Sequence, residues 1–466
     1  MKHKLIYWAK LLSNSYHNCN LYQNYSLHFL KKSYLNNISY RYLHKMKLST
    51  PLFQTLLTPE VKELASIFQR YGYELRVAGG AVRDLLMNKQ PLDIDFASTA
   101  TPQQMKEMFT AENIRMISAK GESHGTISVR INDKENFEIT SLRIDVKTDG
   151  RHADVVFTTD WQLDASRRDL TINSMFLGLD GTLYDYFNGT DDLNKHRVIF
   201  VGDPTLRIKE DYLRILRYFR FYGRIAVDPN CHDADTLNAI RENAEGLGGI
   251  SGERIWMEWS KILTGNHCKE IVKTMIEIGL SPYIGLPKSP NVEEFTKVCS
   301  RSLSLKPHAM TLLTALLYND DDLKNLRLRL KFSNYEYKLS NFIINQRLDE
   351  VYKEDLKPYQ KIMLMTSDKV SDVQEWTCEL FKYQGNKRLL NLLQNWKIPK
   401  FPVNGNMLLK EGFKRGPKLK IIMDRLKESW IESDFTMTTE ELLNEISSVL
   451  EEKKSVENIL EKSAGK

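Results

Sequence analysis

The apolar residues of this chain change their spacing once along its length, near residue 185, and this change constrains the fold more than any other feature. Before it, apolar and polar residues alternate as in half-buried strands, at Ile114–Ser118, Thr126–Ile131, Phe137–Leu142 and Val155–Thr158. From Arg207 onward apolar residues recur every three or four positions, as in helices. We therefore predict an α+β chain, with an N-terminal mixed unit followed by an all-helical array.

Threonine–proline pairs mark two helix starts in the first unit. Thr58 is predicted to cap a helix that ends before Gly72, and Thr101 to cap another, since each threonine is followed by proline. Short strands are expected at Glu74–Ala78 and around Asp93–Ala97.

Basic residues are concentrated at the N-terminus. The 466 residues carry a net charge of +6, yet the first acidic residue is Glu60 and eight Lys or Arg residues precede it. An acid-free, basic, Ser-containing segment is typical of a mitochondrial transit peptide, predicted here for residues 1–45; the alternative is a disordered basic arm. Initiation at Met46 would omit this leader and leave the protein in cytoplasm and nucleus.

Cysteine spacing and hydropathy exclude several classes of protein. The five cysteines form no C-x-x-C pair, which is typical of free thiols in a reducing compartment and of neither a disulfide scaffold nor a zinc site. No run of about 18 apolar residues occurs, so we expect no membrane-spanning helix and no membrane partner.

Two glycines and a D-x-D motif form the first group of residues that indicates chemistry. Gly79 and Gly80 lie at a predicted strand-to-helix junction, where backbone N–H groups can approach a phosphate closely. Asp93 and Asp95 alternate with Ile94 on a predicted strand, which directs both carboxylates to one face. Paired carboxylates favour a hard cation such as Mg²⁺.

Two arginine-rich segments follow. The first is RRDLTINSM at 167–175, and the second is EDYLRILRYFRF at 210–221, within a predicted continuous helix Ile208–Arg224. In that helix Asp211, Arg214, Arg217 and Arg220 recur every three residues and would share one face. Such a face is usually only solvated, but arginines without lysines favour directional bonds to phosphates or base edges.

Together, GGAVRD, DID, RRDLTINSM, DYFNGTDDL and EDYLRILRYFRF resemble the motifs of CCA-adding tRNA nucleotidyltransferases, and more closely the eukaryotic, mitochondrial type of class II. The resemblance implies a polymerase-β-like nucleotidyltransferase head with a mixed sheet, then all-α neck, body and tail. We place the head at 46–183, the neck with the nucleotide-selecting helix at 184–265, the body at 266–345 and the tail, with a frayed C-terminus, at 346–466.

The same resemblance implies an activity: template-independent addition and repair of the tRNA 3′-terminal CCA from CTP and ATP, with release of pyrophosphate. Asp93 and Asp95 match the aspartates that bind Mg²⁺, and Glu138 is a candidate third catalytic carboxylate or else a solvated strand residue. The residues assigned to nucleotide binding are Gly79, Gly80, Arg83, Arg168, Asp169, Asn173, Glu210, Asp211, Arg214, Arg217 and Arg220.

Base choice is assigned to the arginine-rich helix. Cytosine and adenine both present an amine beside a ring-nitrogen acceptor, so a carboxylate (Asp211) and a guanidinium (Arg214) would accept C and A and reject U and G. Glu210 is expected to position Arg214. The family attributes the switch from C to A to a mobile loop, which would lie near Arg143 to Asp154 and include His152.

The tail is assigned to RNA on weaker grounds. Its basic cluster would hold tRNA phosphates, or else it is a solvated helix surface; it comprises Lys410, Lys414, Arg415 and Lys418. Three alternatives stay open: a poly(A) polymerase, a partial CC- or A-adding enzyme, and an inactive RNA-binding homologue. No protein partner is predicted, and the protein would be a monomer or homodimer.

Overall fold

The computed structural model describes residues 46–118, 125–148, 153–347 and 355–446. The predicted transit peptide and the loop residues 149–152, which include His152, lie outside the described residues. The described chain divides into two compact units. The first runs to Val146 and includes Val155–Asn194, and the second contains the described part of 147–154 and the chain from Lys195 onward.

The first unit contains a mixed sheet and short helices. Its helices are α1 Pro51–Leu56, α2 Pro59–Arg70, α3 Gly80–Leu86, α4 Pro102–Ala111, α5 Trp161–Ser166 and α6 Gly189–Asn194. The strands are β1 Leu75–Ala78, β2 Asp95–Ser98, β3 Arg115–Ser118, β4 Thr126–Ile131, β5 Glu135–Ser141, β6 Arg143–Thr148, β7 Ala153–Phe157, β8 Phe176–Gly178 and β9 Leu183–Tyr184. Seven strands form one sheet in the order β3-β4-β5-β2-β1-β8-β9, and β6 and β7 form a separate two-stranded sheet.

The first helices begin where the threonines predicted. The Thr58 hydroxyl accepts from the Val61 N–H, and Thr101 forms a reciprocal capping box with Gln104. Proline occupies the first turn of both helices, where its missing N–H costs nothing. Both predicted starts are confirmed.

The two faces of the large sheet have different roles. One face supplies the core: Phe96, Phe137 and Val77 are buried in one cluster with apolar residues of α2 and α4. On the other face, Ala97, Trp161 and other residues form a second, smaller cluster. Asp95 and Glu138 lie on this second face and are exposed, because paired residues of neighbouring strands point to the same side.

The outer edge of strand β9 pairs with the start of the described chain. The Leu183 N–H donates to the Met46 carbonyl at 2.8 Å, and the Leu48 N–H donates to the Gly181 carbonyl at 2.7 Å. This pairing covers backbone groups that an edge strand would otherwise leave open.

The named elements of the second unit from Lys195 onward are all helical, as predicted, whereas the described part of 147–154 belongs to strands β6 and β7. Its helices are α7 Pro204–Glu210, α8 Arg214–Ile225, α9 Ala234–Glu242, α10 Gly252–Leu263, α11 Cys268–Glu277, α12 Val292–Ser302, α13 Ala309–Thr314, α14 Asp320–Leu330, α15 Asn334–Gln346, α16 Lys357–Met365, α17 Val370–Gln384, α18 Lys387–Asn395, α19 Gly405–Lys410 and α20 Pro417–Glu432. Among the described helices none is long and apolar enough to cross a membrane.

Two local predictions were wrong. The helix predicted over 208–224 is interrupted after Glu210, where Asp211 is extended at φ −154° and its carboxylate accepts from the Leu213 N–H; a side chain that bonds to nearby backbone competes with the helix. The described part of 143–154 belongs to strands β6 and β7, and its role as the mobile loop of the switch from C to A stays a prediction. Strand β2 begins at Asp95, and Asp93 lies in a bend before it.

Candidate active site

Gly79 connects strand β1 to helix α3 in a conformation that favours glycine. Its φ is +64°, and a Cβ at this position would lie 3.1 Å from Nη1 of Arg168. A side chain here would therefore be strained and would displace the arginine. The glycine lets the RRD segment approach the start of α3, a contact that the sequence analysis did not predict.

Three acidic residues lie near the N-terminal end of strand β2. Asp95 lies directly opposite Glu138 on the parallel strand β5, and Asp93 precedes it by two residues. Burial, and then the negative charges of Glu138 and Asp93, raise the pKa of Asp95, while Arg168 opposes them. Glu138 thus stands beside the D-x-D motif, and its role as a third catalytic carboxylate stays a prediction.

This carboxylate group suits a divalent cation that arrives with a nucleotide. Desolvation, followed by the nearby negative charges of Glu138 and Asp93, disfavours the ionised form of Asp95 and raises its pKa. Within the described residues, no three His, Cys, Asp or Glu side chains are already gathered closely enough to hold a metal. Mg²⁺ in nucleotide enzymes is commonly held by one or two carboxylates together with substrate phosphates, and Asp93 and Asp95 fit that requirement.

Arg83, Asn173 and Asp169 belong to one buried hydrogen-bond network. The Arg83 guanidinium donates to the side-chain oxygen of Asn173 and to Asp84. The Asn173 amide donates in turn to Asp169 at 3.3 Å. All of these side chains are buried. The structure therefore brings these predicted nucleotide-binding residues together, with Arg83 committed to neighbours within the protein.

The DYFNGTDDL segment holds the RRD segment in place. A Cβ on Gly189 would lie 2.3 Å from the Thr171 carbonyl oxygen, so only glycine permits this approach. The Thr171 hydroxyl donates to Asp192 at 2.7 Å, and Asp185 accepts from the backbone of Gly189. The first unit extends to Asn194, and the predicted boundaries of head, neck, body and tail stay predictions.

In the second unit, Glu210 holds Arg214. Nη1 of Arg214 donates to Oε2 of Glu210 at 2.6 Å and to the Arg207 carbonyl at 3.0 Å. Arg207 donates to the other oxygen of Glu210 at 2.8 Å. This is the contact expected if Glu210 positions Arg214, and the two helices α7 and α8 meet through it.

Asp211 and the later arginines depend on two residues of α10 that the sequence analysis did not single out. Arg254 donates to Asp211 at 2.7 Å, and both oxygens of the buried Glu258 accept from Arg220 at 3.1 Å. Arg217 lies 4.0 Å from the same carboxylate. The sequence ISGERIWMEW does indicate this pair, because a spacing of four residues places Arg254 and Glu258 on one face of a helix.

The chain is similar to several known proteins. Two family models match the chain: the poly A polymerase head domain over residues 75–199 and the probable RNA and SrmB-binding site of polymerase A over residues 233–288. Mitochondrial CCA tRNA nucleotidyltransferase 1 of Danio rerio is 51% identical over 90% of this chain and 98% of its own length. The Homo sapiens relative is 52% identical over 87% of this chain and 94% of its own. The chain belongs to the CCA tRNA nucleotidyltransferase family.

Solved structures agree with the fold. The CCA-adding enzyme of Bacillus stearothermophilus in complex with CTP has a TM-score of 0.70 at 23% identity, covering 88% of this chain and 100% of its own. The Thermotoga maritima CCA-adding enzyme complexed with tRNA has a TM-score of 0.62 at 20% identity, with the same coverage. The predicted family, enzyme class and fold of mixed-sheet head and helical remainder are confirmed.

The four predicted RNA-binding residues of the tail lie where α19 ends and α20 begins. Lys410, Lys414, Arg415 and Lys418 are all exposed. Gly416 and Pro417, which lie between Arg415 and Lys418 in the sequence, form the start of α20. Their role in binding RNA stays a prediction.

Asp164 on α5 is the buried carboxylate that orients both arginines of the RRD motif. It is 1% exposed; its Oδ1 accepts from Arg167 at 2.8 Å and its Oδ2 accepts from Arg168 at 3.2 Å. The backbone N–H of Arg143, at the start of β6, donates to it at 3.2 Å. Burial disfavours its charge, but the two arginines prevail and lower its pKa. Asp164 therefore stays ionised and fixes Arg168 beside Asp95.

We predict that Asp164→Asn lowers the free energy of unfolding by about 3–5 kcal/mol, the usual cost of breaking a buried ion pair, and raises KM for the nucleotide because Arg168 loses its orientation. Denaturant titration and steady-state kinetics measure the two effects. Asp160→Asn on the same helix is the control, since asparagine also caps well.

The difference in free energy of unfolding between the parent and Asp164→Asn should change with pH in one direction. Because the pKa of Asp164 is lowered in the folded state, its stabilisation is complete well above the unfolded value of about 3.9 and is lost as pH falls through the lowered pKa. The difference in free energy of unfolding between the parent and Asp164→Asn should therefore become smaller below about pH 4. Equal stability of the two proteins at neutral pH would contradict the assignment.

Proposed function

We propose that this chain builds and repairs the 3′-terminal CCA of tRNA, using CTP and ATP, without a nucleic-acid template. The observation that carries the proposal is the exposed carboxylate group of Asp93, Asp95 and Glu138 beside Arg168. A cluster of negative charge with an adjacent guanidinium suits a metal-bound triphosphate, because the carboxylates hold cation and the arginine attracts phosphate. The relatives named above are CCA tRNA nucleotidyltransferases.

The reaction joins the 3′-hydroxyl oxygen of the RNA to the α-phosphorus of the nucleotide and breaks the bond from that phosphorus to pyrophosphate, while the hydroxyl loses its proton. Mg²⁺, when bound by Asp93 and Asp95, would supply charge neutralisation for the attacking and leaving oxygens. Arg168 is positioned by Asp164 to contact phosphate oxygens. Glu138 adds negative charge next to Asp95 and favours binding of the cation.

Base selection is proposed for Asp211 and Arg214. A carboxylate offers about four acceptor positions, and Asp211 uses its oxygens for the Leu213 N–H and Arg254. Acceptor capacity thus remains for the exocyclic amine of cytosine or adenine. Glu210 fixes the Arg214 guanidinium, whose donors suit the ring nitrogen of the same bases. The break between α7 and α8 supports this role, since it places the half-buried Asp211 at a helix junction.

Poly(A) synthesis is the second candidate, because the model that matches residues 75–199 describes a poly A polymerase head. It differs from CCA addition in nucleotide use and in where extension stops. The same assay separates the two.

We predict that tRNA ending before CCA is extended by C, C and A and then no further when Mg²⁺, CTP and ATP are supplied together. Separation of the labelled products on a sequencing gel measures this. An adenosine ladder from ATP alone would instead favour poly(A) synthesis, and no extension would contradict both functions.

The matched variants for this assay are Asp95→Asn and Glu107→Gln. Asp95→Asn should abolish incorporation and preserve tRNA binding. It should also raise the melting temperature of the metal-free protein at neutral pH, because the raised pKa of Asp95 means that its ionised form is disfavoured by the fold. Glu107 is an exposed carboxylate on α4, so Glu107→Gln should change neither property.

For the selecting residues, we predict that Asp211→Ala lowers the preference for CTP over UTP by about 10- to 100-fold, in line with about 1–3 kcal/mol for one bidentate base contact. Single-nucleotide incorporation with all four nucleotides measures it. Asp235→Ala, which removes an exposed carboxylate of α9, is the control. An unchanged preference would reduce Asp211 to a structural partner of Arg254.

We further propose mitochondrial targeting through residues 1–45 and a cytoplasmic and nuclear form that begins at Met46. Both similar vertebrate relatives are named mitochondrial. A chain that begins at Met46 keeps the pairing of Met46 and Leu48 with the β8–β9 region. We predict that a fluorescent fusion of the full chain enters mitochondria and one from Met46 does not, by microscopy; equal distributions would contradict targeting.

A further inference from the structure

Two arginines lie directly opposite each other on the outer strands of the head sheet. Arg115 of the edge strand β3 is paired in register with Arg130 of β4. Arg130 is paired in turn with Asn136 of β5. Like charges placed opposite one another on a sheet are destabilising. The pair therefore calls for an explanation beyond folding stability.

The pair shares a face with the catalytic carboxylates. Two residues along β5 from Asn136 lies Glu138, which is in register with Asp95 on β2 and with Ser128 on β4. Residues two apart on a strand point to the same side, so Arg115 and Arg130 stand on the face of Asp95. The opposite side of these strands is the buried core.

Neither arginine has an acidic partner in the described part of the chain. Arg130 donates to the Asn136 side chain at 3.0 Å and to the Asp133 carbonyl at 2.8 Å, both neutral acceptors. Arg115 is exposed and makes no ion pair with a described residue. The pair thus presents two positive charges to solvent, with Arg130 held in a fixed orientation by two bonds.

Protection of the sheet edge does not account for the arrangement. Charged side chains on an edge strand discourage pairing with other chains, which would explain Arg115 on β3. Arg130, however, lies on β4, which pairs with strands on both sides. The charge of Arg130 therefore does not protect a sheet edge, and it adds to the repulsion with Arg115.

The distance from the reaction centre favours RNA over the nucleotide triphosphate. With strands about 4.8 Å apart and about 3.3 Å per residue, the Cα atoms of Arg130 and Arg115 lie about 12 and about 16 Å from that of Asp95. This is about four stacked nucleotides of one strand, at about 3.4 Å each. A triphosphate bound at the carboxylates would lie close to Asp95 and would not extend to the two arginines.

We propose that Arg115 and Arg130 bind the phosphodiester backbone of the tRNA strand that ends in the reacting 3′-hydroxyl, a few nucleotides upstream of that end. The proposal rests on the proposed function for the identity of the RNA. Guanidinium groups bind phosphate oxygens bidentately, and the bound phosphate relieves the repulsion between the two arginines. The pair would set the position of the strand on the sheet face that carries Asp95.

The test compares Arg115→Gln/Arg130→Gln in the full chain with the parent, by filter binding of tRNA that lacks CCA over a range of salt concentrations. We expect tRNA affinity to fall roughly 10-fold, and the slope of log affinity against log salt to shrink by about 1.4, at about 0.7 per lost contact with a single strand. KM for CTP and kcat at saturating tRNA should stay within about two-fold of the parent, since phosphate contacts position the RNA and do not take part in the chemistry.

Two further variants serve as controls. Arg115→Lys/Arg130→Lys keeps both charges and should keep most of the salt slope. Arg70→Gln removes an exposed arginine of α2, which pairs with Glu112, and should leave tRNA binding unchanged. The glutamine variant should melt no lower than the parent, because it removes a like-charge pair; this separates lost binding from lost folding.

Unchanged tRNA affinity and slope in the glutamine variant would overturn the proposal. A rise in KM for CTP without loss of tRNA affinity would also overturn it, because the pair would then serve the nucleotide. The proposed function can fail separately: a parent that binds tRNA but adds no nucleotides would refute CCA addition, while the binding measurements would still decide the role of the arginines.

Discussion

The site depends on the parallel register between strands β2 and β5, which sets two carboxylates side by side. Asp95 and Glu138 are direct neighbours across these strands, with Asp93 just before them. Desolvation, and then the negative charges of Glu138 and Asp93, raise the pKa of Asp95, so its ionised form is unfavourable for the protein alone. Under the proposed function, a bound cation would remove that cost, and the same arrangement would then favour binding of metal and nucleotide.

Buried polar groups support this exposed charge. Asp164 orients Arg167 and Arg168, and the Arg83–Asn173–Asp169 network joins the glycine turn to the RRD segment. Such groups are costly to bury unless they are paired, and each here has a partner. Carboxylates also orient arginines in the second unit, where Glu210 and Glu258 hold the arginines of α7 and α8. In both units, carboxylates hold arginines that are expected to meet phosphate or base.

Much of the fold follows from local sequence signals. Helices start where Thr58 and Thr101 precede proline, because the hydroxyl cap and proline act within a few residues. Strand β4 has the bounds that its alternating pattern predicted. The interruption at Asp211 was missed because helical periodicity continues through it, whereas one side-chain bond to the Leu213 N–H ends the helix. Strand β6 was missed because its Gly-containing, polar surroundings resemble a loop.

The sequence alone determined the type of enzyme and most of its candidate residues, since glycine turns, D-x-D and arginine-rich motifs carry their chemistry in short, contiguous segments. Only the tertiary structure decided which of these residues are exposed for chemistry and which are buried as supports. It placed Glu138 beside Asp95, joined Arg254 to Asp211 and brought Arg115 opposite Arg130. These pairs are distant along the chain, and strand register and helix packing set their proximity. No local pattern of residues encodes that information.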